Sequence, residues 1–331
     1  MTENGDRSSR ERALDELRTA AKLIVVTHEN PDGDALGSLL AMWDILRALG
    51  KDADAFIDPR ELPLPQEYRF LPLDDALHEP PADLAERTVV FVDCGSLERN
   101  PAVAFRRDGT QILNIDHHHD NTLFGTVNLV DPMASCTAEI IWDLMHGLGV
   151  EPTLEIAEAL YVGLITDTGK FMYENTTPRA HQMAAELIEA GVDVPEIYRR
   201  VYEGVPYGKL ALLARGLAKT RRYDDGRLTM TQLDAADFAE TEAQESYSEG
   251  VIDHLRAVEG TAVAALIRDR INAGDGERKV SLRASDERVD VSRIARAQGG
   301  GGHRGAAGFT TSMGWDELVE FLRGEVAQQL Q

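Results

Sequence analysis

The stretch LIVVTHENPDGD, residues 23–34, joins an apolar, β-branched run to a polar loop. A run of this kind predicts a buried strand, and the helical periodicity over residues 34–49 predicts a helix directly after it. The loop between them carries three potential ligands for a metal ion, His28, Asp32 and Asp34. It lies at the carboxyl end of the predicted strand, where α/β folds place their functional sites.

Short apolar runs recur along the rest of the N-terminal part. Residues 54–57, 88–92 and 111–115 predict further strands, while residues 135–219 have an almost entirely helical pattern. Strands rich in β-branched residues and alternating with helices indicate a mostly parallel sheet with helices on both faces. We interpret Gly33 and Gly37, at the start of the first such helix, as relief for the backbone of a tight loop.

The periodicity changes after residue 218, and this indicates a second, smaller α/β domain. Strand-like runs cover residues 228–233, 261–268 and 279–283, and residues 315–330 predict a closing helix. A chain of 331 residues is also longer than one core usually grows. We therefore predict an N-terminal domain, a helical connector and a C-terminal domain, over residues 1–190, 191–218 and 219–331.

Composition narrows the class of protein. The net charge of −23 argues against a protein that binds long duplex nucleic acid, because phosphate binding normally needs a basic stripe. Residues 262–310 are the exception, with nine Lys or Arg and six Asp or Glu, which suggests a small phosphate-binding patch. Two cysteines cannot build a disulfide framework, and no apolar run is long enough to span a bilayer. We expect a cytoplasmic location and no membrane association.

Six histidine and aspartate side chains form the candidate metal-binding set. They lie at or just after the ends of apolar runs, namely the first strand, the strands at 88–92 and 111–115 and the stretch at 164–169: His28, Asp32, Asp34, Asp93, His117 and Asp167. Imidazole and carboxylate together are ligands for divalent transition ions such as Mn²⁺. Two such ions side by side are typical of enzymes that cleave phosphoesters.

These separated motifs, with the triplet Asp116-His117-His118 among them, resemble the DHH phosphoesterase family, which is named for that triplet. The resemblance implies two metal ions about 3.5–4 Å apart, usually Mn²⁺ with Mg²⁺ as the alternative. It implies that His28 and Asp32 hold one ion, that Asp34, His117 and Asp167 hold the other, and that Asp93 bridges the two. A hydroxide between the ions would be the nucleophile.

The resemblance also gives roles to the other two members of the triplet. His118, which is not needed as a metal ligand, would contact the scissile phosphate and act with Asp93 in catalysis. We expect Asp116 to orient His117, because a metal-bound imidazole usually donates its second N–H to such an acceptor.

The glycine-rich stretch Gly299–Phe309 resembles the substrate-binding motif of the DHHA1 domain that accompanies the DHH domain in this family. The resemblance assigns substrate binding to Arg283, Gly301, Gly302, His303 and Arg304. Glycines let backbone N–H groups approach a phosphate, and His303 and Arg304 supply charge-assisted donors. Arg283 is followed by Ala284 where the family usually has Ser, which removes one possible hydroxyl contact.

Within the family the chain is most similar to the nanoRNase type, which implies hydrolysis of short oligoribonucleotides and removal of the 3′-phosphate of 3′-phosphoadenosine-5′-phosphate (pAp). The substrates implied are short RNA or nucleotides such as pAp, and a homodimer is possible. Alternatives are a phosphodiesterase for cyclic or linear signalling dinucleotides and a RecJ-like single-strand exonuclease. A nucleotide-binding module that has lost catalysis is a further alternative, and it should lack at least one metal ligand.

Overall fold

The computed structural model describes residues 8–330 except residues 101, 107–108 and 271–275. The chain divides into two compact units, Met1–Gly204 and Val205–Gln331. Within the segment that we expected to connect the domains, one helix belongs to the first unit and the next helix to the second. Among the described residues, no helix is both long and apolar enough to cross a membrane.

The first unit is built on a five-stranded parallel sheet in the order β2-β1-β3-β4-β5. The strands are β1 (Lys22–Val26), β2 (Asp52–Ala55), β3 (Thr88–Val92), β4 (Ile112–Asp116) and β5 (Val127–Val130). Strand β5 was not predicted from the sequence. The predicted class, a mostly parallel α/β sheet followed by a smaller α/β domain, is confirmed.

Six α-helices belong to the first unit: α1 (Ser9–Thr19), α2 (Gly33–Ala48), α3 (Thr137–Leu148), α4 (Leu154–Asp167), α5 (Pro178–Glu189) and α6 (Val194–Tyr202). Short 3₁₀ helices cover Pro59–Glu61, Gln66–Tyr68, Leu84–Glu86, Leu97–Arg99 and Val103–Arg106. The Asp32 side chain caps the start of helix α2. It accepts a hydrogen bond from the Ala35 N–H, one of the donors that have no partner within the helix, and so stabilises the helix start.

The two faces of this sheet are covered differently. Successive residues of a strand point to opposite faces, so Leu23 and Val25 join the larger core and Ile24 and Val26 join a second one. Side chains from all six α-helices pack in the larger core. The second core is closed by 3₁₀ helices and loops, with Phe105 fully buried in it. Both faces are therefore covered, as expected, but the α-helices lie on one of them.

Helices α2 and α4 pack closely, and two glycines make this possible. A Cβ atom at Gly37 would lie 2.4 Å from the Ala159 carbonyl oxygen, and one at Gly33 would lie 2.4 Å from Thr166 Oγ1. Both glycines lie inside α2 and neither has a positive φ. Our interpretation of them as loop relief is wrong, because they serve a helix–helix contact that brings the start of α2 to the end of α4.

The second unit contains a six-stranded mixed sheet in the order β10-β11-β9-β8-β7-β6. Its strands are β6 (Arg221–Tyr223), β7 (Leu228–Leu233), β8 (Val263–Asp269), β9 (Arg278–Ala284), β10 (Gly301–Gly302) and β11 (Ala306–Thr311). Its helices are α7 (Tyr207–Ala218), α8 (Ala235–Thr241), α9 (Val251–Arg256), α10 (Val291–Arg296) and α11 (Trp315–Leu330). Helices α10 and α11 pack on one face of the sheet, and α7, α8 and α9 pack on the other.

Candidate metal centre

Neighbouring strands of the first unit deliver polar side chains to one edge of the sheet. Strands β1, β3 and β4 are adjacent and parallel, so their carboxyl ends meet. His28 follows β1, Asp93 follows β3, and His117 follows β4. Two helices complete the set, since Asp34 lies in the first turn of α2 and Asp167 is the last residue of α4.

These side chains form three overlapping groups, within each of which the potential ligand atoms all lie within 4.8 Å of one another. The groups are His28 with Asp32 and Asp93, Asp34 with His117 and Asp167, and Asp93 with His117 and His118. The structure thus brings together all six residues that we predicted as metal ligands. It does so with strand ends and helix ends alike, so Asp167 comes from a helix terminus where we had emphasised strands.

Asp93 lies between the groups. Its Oδ2 is 3.4 Å from His28 Nε2, whereas its Oδ1 is 3.7 Å from His117 Nε2, so the two oxygens face different histidines. The side chain is buried, and the backbone has a positive φ of 55°. Such left-handed backbone is uncommon outside glycine and is found at functional sites. This geometry is what a carboxylate shared by two cations needs, because each oxygen can face one ion.

Asp34 is held at the start of helix α3. Its Oδ2 accepts a 2.7 Å hydrogen bond from the Thr137 N–H, and its Oδ1 accepts a 3.0 Å bond from the Ala138 N–H. Helix starts attract negative charge because their first N–H groups have no partner within the helix. Thr137 also donates a 3.0 Å hydrogen bond from its hydroxyl to Asp93 Oδ1. One residue therefore fixes two carboxylates, which between them belong to all three groups.

Hydrogen bonds orient the histidines. His28 Nδ1 lies 2.7 Å from the Glu29 carbonyl oxygen, which leaves Nε2 directed at Asp93. Asp116 Oδ1 lies 2.7 Å from His118 Nδ1. Our expectation that Asp116 orients His117 is therefore corrected to His118. The reason is strand geometry, since residues two apart at the end of a strand lie on the same side.

Burial and charge shift the pKa values of the cluster. Burial raises the pKa of Asp34 well above its usual range, and the nearby carboxylates of Asp93 and Asp167 raise it further. The pKa of Asp167 rises to about 6, again chiefly through burial. Burial opposes ionisation of His28 and Asp93 too, but their mutual attraction outweighs it, raising the pKa of His28 and lowering that of Asp93.

The donor set fits divalent cations. Four carboxylates and two imidazoles converge with too little positive charge among them to balance the acids. Carboxylate oxygen combined with imidazole nitrogen suits Mn²⁺ and related ions. A bound cation would also counteract the burial and the carboxylate repulsion that raise the pKa values of Asp34 and Asp167.

Sequence reasoning missed several residues that contact this centre, and three of them are used in the proposals below. Thr137 is one of them, and Asn175 is another, because its Nδ2 donates to Asp167 Oδ2 at 3.2 Å. The Arg99 guanidinium lies 3.4 Å from His118 Nε2 and makes no ion pair with any described carboxylate. Of the three, only Thr137 had a sequence feature that could have indicated it. It is the first residue of helix α3, close to residue 135, where the predicted helical pattern begins.

The substrate-binding residues that we predicted in the C-terminal part lie together in the second unit. Gly301 and Gly302 form β10, which pairs with β11, and the His303 N–H donates to the Ala306 carbonyl oxygen at 2.8 Å. His303 and Arg304 are exposed at this turn, while Arg283 pairs with Ala306 across β9 and β11. Gly302 is needed by the turn itself, since its φ is 131° and a Cβ would lie 2.6 Å from the Ala306 carbonyl oxygen.

With this geometry in place, the comparison with known families gives the class of protein. The chain belongs to the DHH family: the family's N-terminal domain matches residues 22–164, and the DHHA1 domain matches residues 232–330. Membership of this family makes the chain a phosphoester hydrolase that uses divalent metal ions.

Individual relatives are similar over nearly their whole length. The bifunctional oligoribonuclease and PAP phosphatase NrnA of Thermus thermophilus is 36% identical over 312 residues, which cover 92% of this chain and 90% of that protein. The protein with the same description from Bacillus subtilis is 25% identical over 313 residues, covering 91% and 92%. The resemblance that the sequence motifs indicated is therefore confirmed.

Solved structures share the fold. An exopolyphosphatase-related protein from Bacteroides fragilis superimposes with a TM-score of 0.86 at 23% identity, covering 99% of this chain and 98% of that one. The exonuclease RecJ bound to manganese gives a TM-score of 0.56 at 18% identity, covering 100% of this chain and 96% of that one.

Proposed function

We propose that this protein hydrolyses short oligoribonucleotides to mononucleotides and removes the 3′-phosphate of pAp, using two divalent metal ions, with Mn²⁺ preferred. The observation that carries the proposal is the position of Asp93, whose two oxygens face His28 and His117 from the middle of the ligand set. The curated relatives from Thermus thermophilus and Bacillus subtilis, described as oligoribonuclease and PAP phosphatase, support the choice of substrate.

The ligand groups suggest how the ions would be held. His28 and Asp32 would hold one, Asp34, His117 and Asp167 would hold the other, and Asp93 would contact both. Bound there, the ions would supply charge that stabilises the phosphoryl group and lowers the pKa of water toward neutrality. Thr137 and the start of α3 keep the carboxylates of Asp93 and Asp34 in place. His28 presents Nε2 because Glu29 occupies its Nδ1.

His118 and Arg99 would bind the scissile phosphate. Asp116 holds the ring of His118 and, through that hydrogen bond, raises the pKa of the imidazole to about 9. The nearby Arg99 guanidinium, which no described carboxylate neutralises, adds a second cationic donor. Two adjacent cationic groups repel each other but suit an oxyanion that accepts hydrogen bonds from both. In the second unit, the exposed His303 and Arg304, together with Arg283, would bind another phosphate of the substrate.

The two proposed activities are chemically one. In each, water attacks a phosphorus attached to a ribose 3′ oxygen, the P–O bond to that oxygen breaks, and the 3′ hydroxyl leaves with a proton. The length of the substrate changes only what else is attached to the phosphorus. The alternative without catalysis loses support, because every predicted metal ligand is present and all six converge.

Parallel product analysis tests the proposal. The protein is incubated with Mn²⁺ and, separately, with a linear diribonucleotide, with pAp and with a cyclic dinucleotide, and products are resolved by chromatography. We expect mononucleotides from the diribonucleotide and AMP from pAp, with the cyclic compound turned over more slowly. Rapid opening of the cyclic dinucleotide with little action on the other two would favour the signalling-dinucleotide phosphodiesterase instead.

A further inference from the structure

The turn after Asp167 exposes aromatic side chains beside the metal centre. It begins at Thr168 and returns at Asn175, whose Nδ2 donates to the backbone oxygen of Asp167 at 3.1 Å and to its Oδ2 at 3.2 Å. Both ends of the turn are thus attached to a predicted metal ligand. Tyr173 is two residues from Asn175, so their Cα atoms lie within about 7 Å of each other.

The turn has an unusual backbone. Gly169, Lys170 and Phe171 are three consecutive residues with positive φ, at 56°, 62° and 63°. Left-handed backbone costs roughly 1–2 kcal/mol for a residue other than glycine. A surface loop that has no functional role would therefore rarely adopt this conformation. Such strain persists where surrounding contacts enforce it, and it gathers at functional sites.

The side chains of this turn point in two directions, one toward the core and two toward the solvent. Phe171 packs against the core and stacks on His181 with ring centroids 4.9 Å apart. Met172 and Tyr173 point outward, with 72% and 59% of their surface exposed. The ring of Tyr173 lies over Gly169, where a Cβ would be 2.4 Å from it. One face of the ring therefore rests on backbone while much of the side chain remains open to solvent.

Two more tyrosines and a lysine extend this surface. Lys170 Nζ lies 4.5 Å from the ring centroid of Tyr202 and 5.9 Å from that of Tyr198, and the two rings are 5.2 Å apart. The side chain of Lys170 makes no ion pair with a carboxylate in the described part of the chain. We call Lys170, Tyr173, Tyr198 and Tyr202 the aromatic surface. Tyr173 and Tyr198 are exposed, whereas Tyr202 is half-buried and donates its hydroxyl to the Ile165 carbonyl oxygen at 2.9 Å. Proteins bind single-stranded nucleic acid with exposed rings beside an unneutralised cation.

We propose that the aromatic surface binds a nucleobase of the substrate, stacked on Tyr173, with Lys170 attracting the phosphate attached to that nucleotide. The inference rests on the proposed function and adds the part of the substrate that the metal centre cannot recognise. A stacked base needs a ring face but no base-specific hydrogen bonds, so this contact would accept all four bases. Its attachment to Asp167 places the base next to the phosphate being cleaved.

The first test compares substrates with and without a base. Tyr173→Ala should raise KM for a diribonucleotide by about 5- to 150-fold, the range that alanine substitution at base-stacking residues produces. Two dinucleotide analogues are also tested, each carrying hydrogen in place of the base on one of its two nucleosides. For the analogue that lacks the stacked base, KM should be the same with Tyr173→Ala as with wild type. Tyr173→Phe keeps the ring and should restore the low KM.

A control variant separates stacking from loss of an exposed apolar side chain. Leu154 is 45% exposed at the first residue of α4, thirteen residues before Asp167 and about 20 Å away along the helix. Leu154→Ala should leave KM unchanged. An equal rise in KM for the diribonucleotide and for both abasic analogues with Tyr173→Ala would overturn the proposal.

A binding measurement keeps the inference separate from the proposed function. Tyr173→Trp places an indole at the stacking position, and its fluorescence should be quenched by AMP but not by ribose 5-phosphate, with wild type titrated as the blank. If the wild-type protein cleaved neither a dinucleotide nor pAp, the proposed function would be wrong. The titration would still show whether a nucleobase stacks at position 173. Absence of quenching by AMP up to millimolar concentration would reject the aromatic surface as a base-binding site.

Discussion

Removing the Thr137 hydroxyl should weaken metal binding without disturbing the fold. Thr137 and Asp93 are both buried, and the Thr137 hydroxyl donates a 3.0 Å hydrogen bond to Asp93 Oδ1. Valine has nearly the same shape, so Thr137→Val deletes this bond and keeps the backbone N–H bond to Asp34 Oδ2. A hydrogen bond to a charged group contributes about 1.5–3 kcal/mol, and loss of a group that orients a metal ligand typically costs about 10- to 100-fold in affinity or activity.

Calorimetric titration with Mn²⁺ measures the effect directly. We expect Thr137→Val to bind Mn²⁺ about 10- to 100-fold more weakly than wild type, with kcat for a diribonucleotide lowered in step. Thr137→Ser retains the hydroxyl and should bind within a few-fold of wild type. Thermal melting verifies that each variant is folded. Equal Mn²⁺ affinities for wild type and a folded Thr137→Val protein would refute the reasoning that this hydroxyl fixes Asp93.

Further predictions concern pH, the second unit and substrate length. Burial raises the folded-state pKa of Asp167 to about 6, so the stability that its protonated form contributes is lost as pH rises through about 6, and the raised pKa of Asp34 adds a loss in the same direction. Metal-free protein in chelator should therefore melt several degrees lower at pH 7 than at pH 5, a drop that Mn²⁺ should largely remove. Arg304→Ala should reduce kcat/KM for a diribonucleotide more than tenfold with calorimetric Mn²⁺ affinity unchanged; a parallel loss of both would exclude a substrate-binding role. Cleavage should be fastest for substrates of roughly two to five nucleotides, because a chain with a net charge of −23 offers only a limited basic patch to further phosphates. A 24-mer with a higher kcat/KM than a dinucleotide and a steep salt dependence would indicate a long-strand exonuclease.

The elements that follow from local pattern were predictable from the sequence. The bounds of β3, β7 and α11 agree with their apolar runs, and the convergence of His28, Asp93 and His117 follows from parallel strands ending at one edge. The β10–β11 hairpin was not predicted, because a two-residue glycine strand has no apolar pattern.

What the sequence left open depends on contacts between distant residues. The presence of Gly37 in a helical segment does not indicate that it contacts the carbonyl oxygen of Ala159, which is 122 residues further along the sequence. The partner of Asp116 depended on which side of the strand end each residue of the triplet occupies. Arg99 is an ordinary charged residue in sequence, and only the packing of its loop places it beside His118.

Hydrolysis by an Asp93→Asn variant tests the central claim most directly. Asparagine preserves the size of the side chain and can still accept the Thr137 hydrogen bond, but it removes the charge that two of the three ligand groups share. The measurement is kcat for a diribonucleotide at saturating Mn²⁺, with a melting curve to establish folding. We predict that turnover falls by at least about a thousandfold, since the missing charge affects the stabilisation of both ions. Turnover within tenfold of wild type by a folded Asp93→Asn protein would contradict a phosphoesterase centre organised around Asp93.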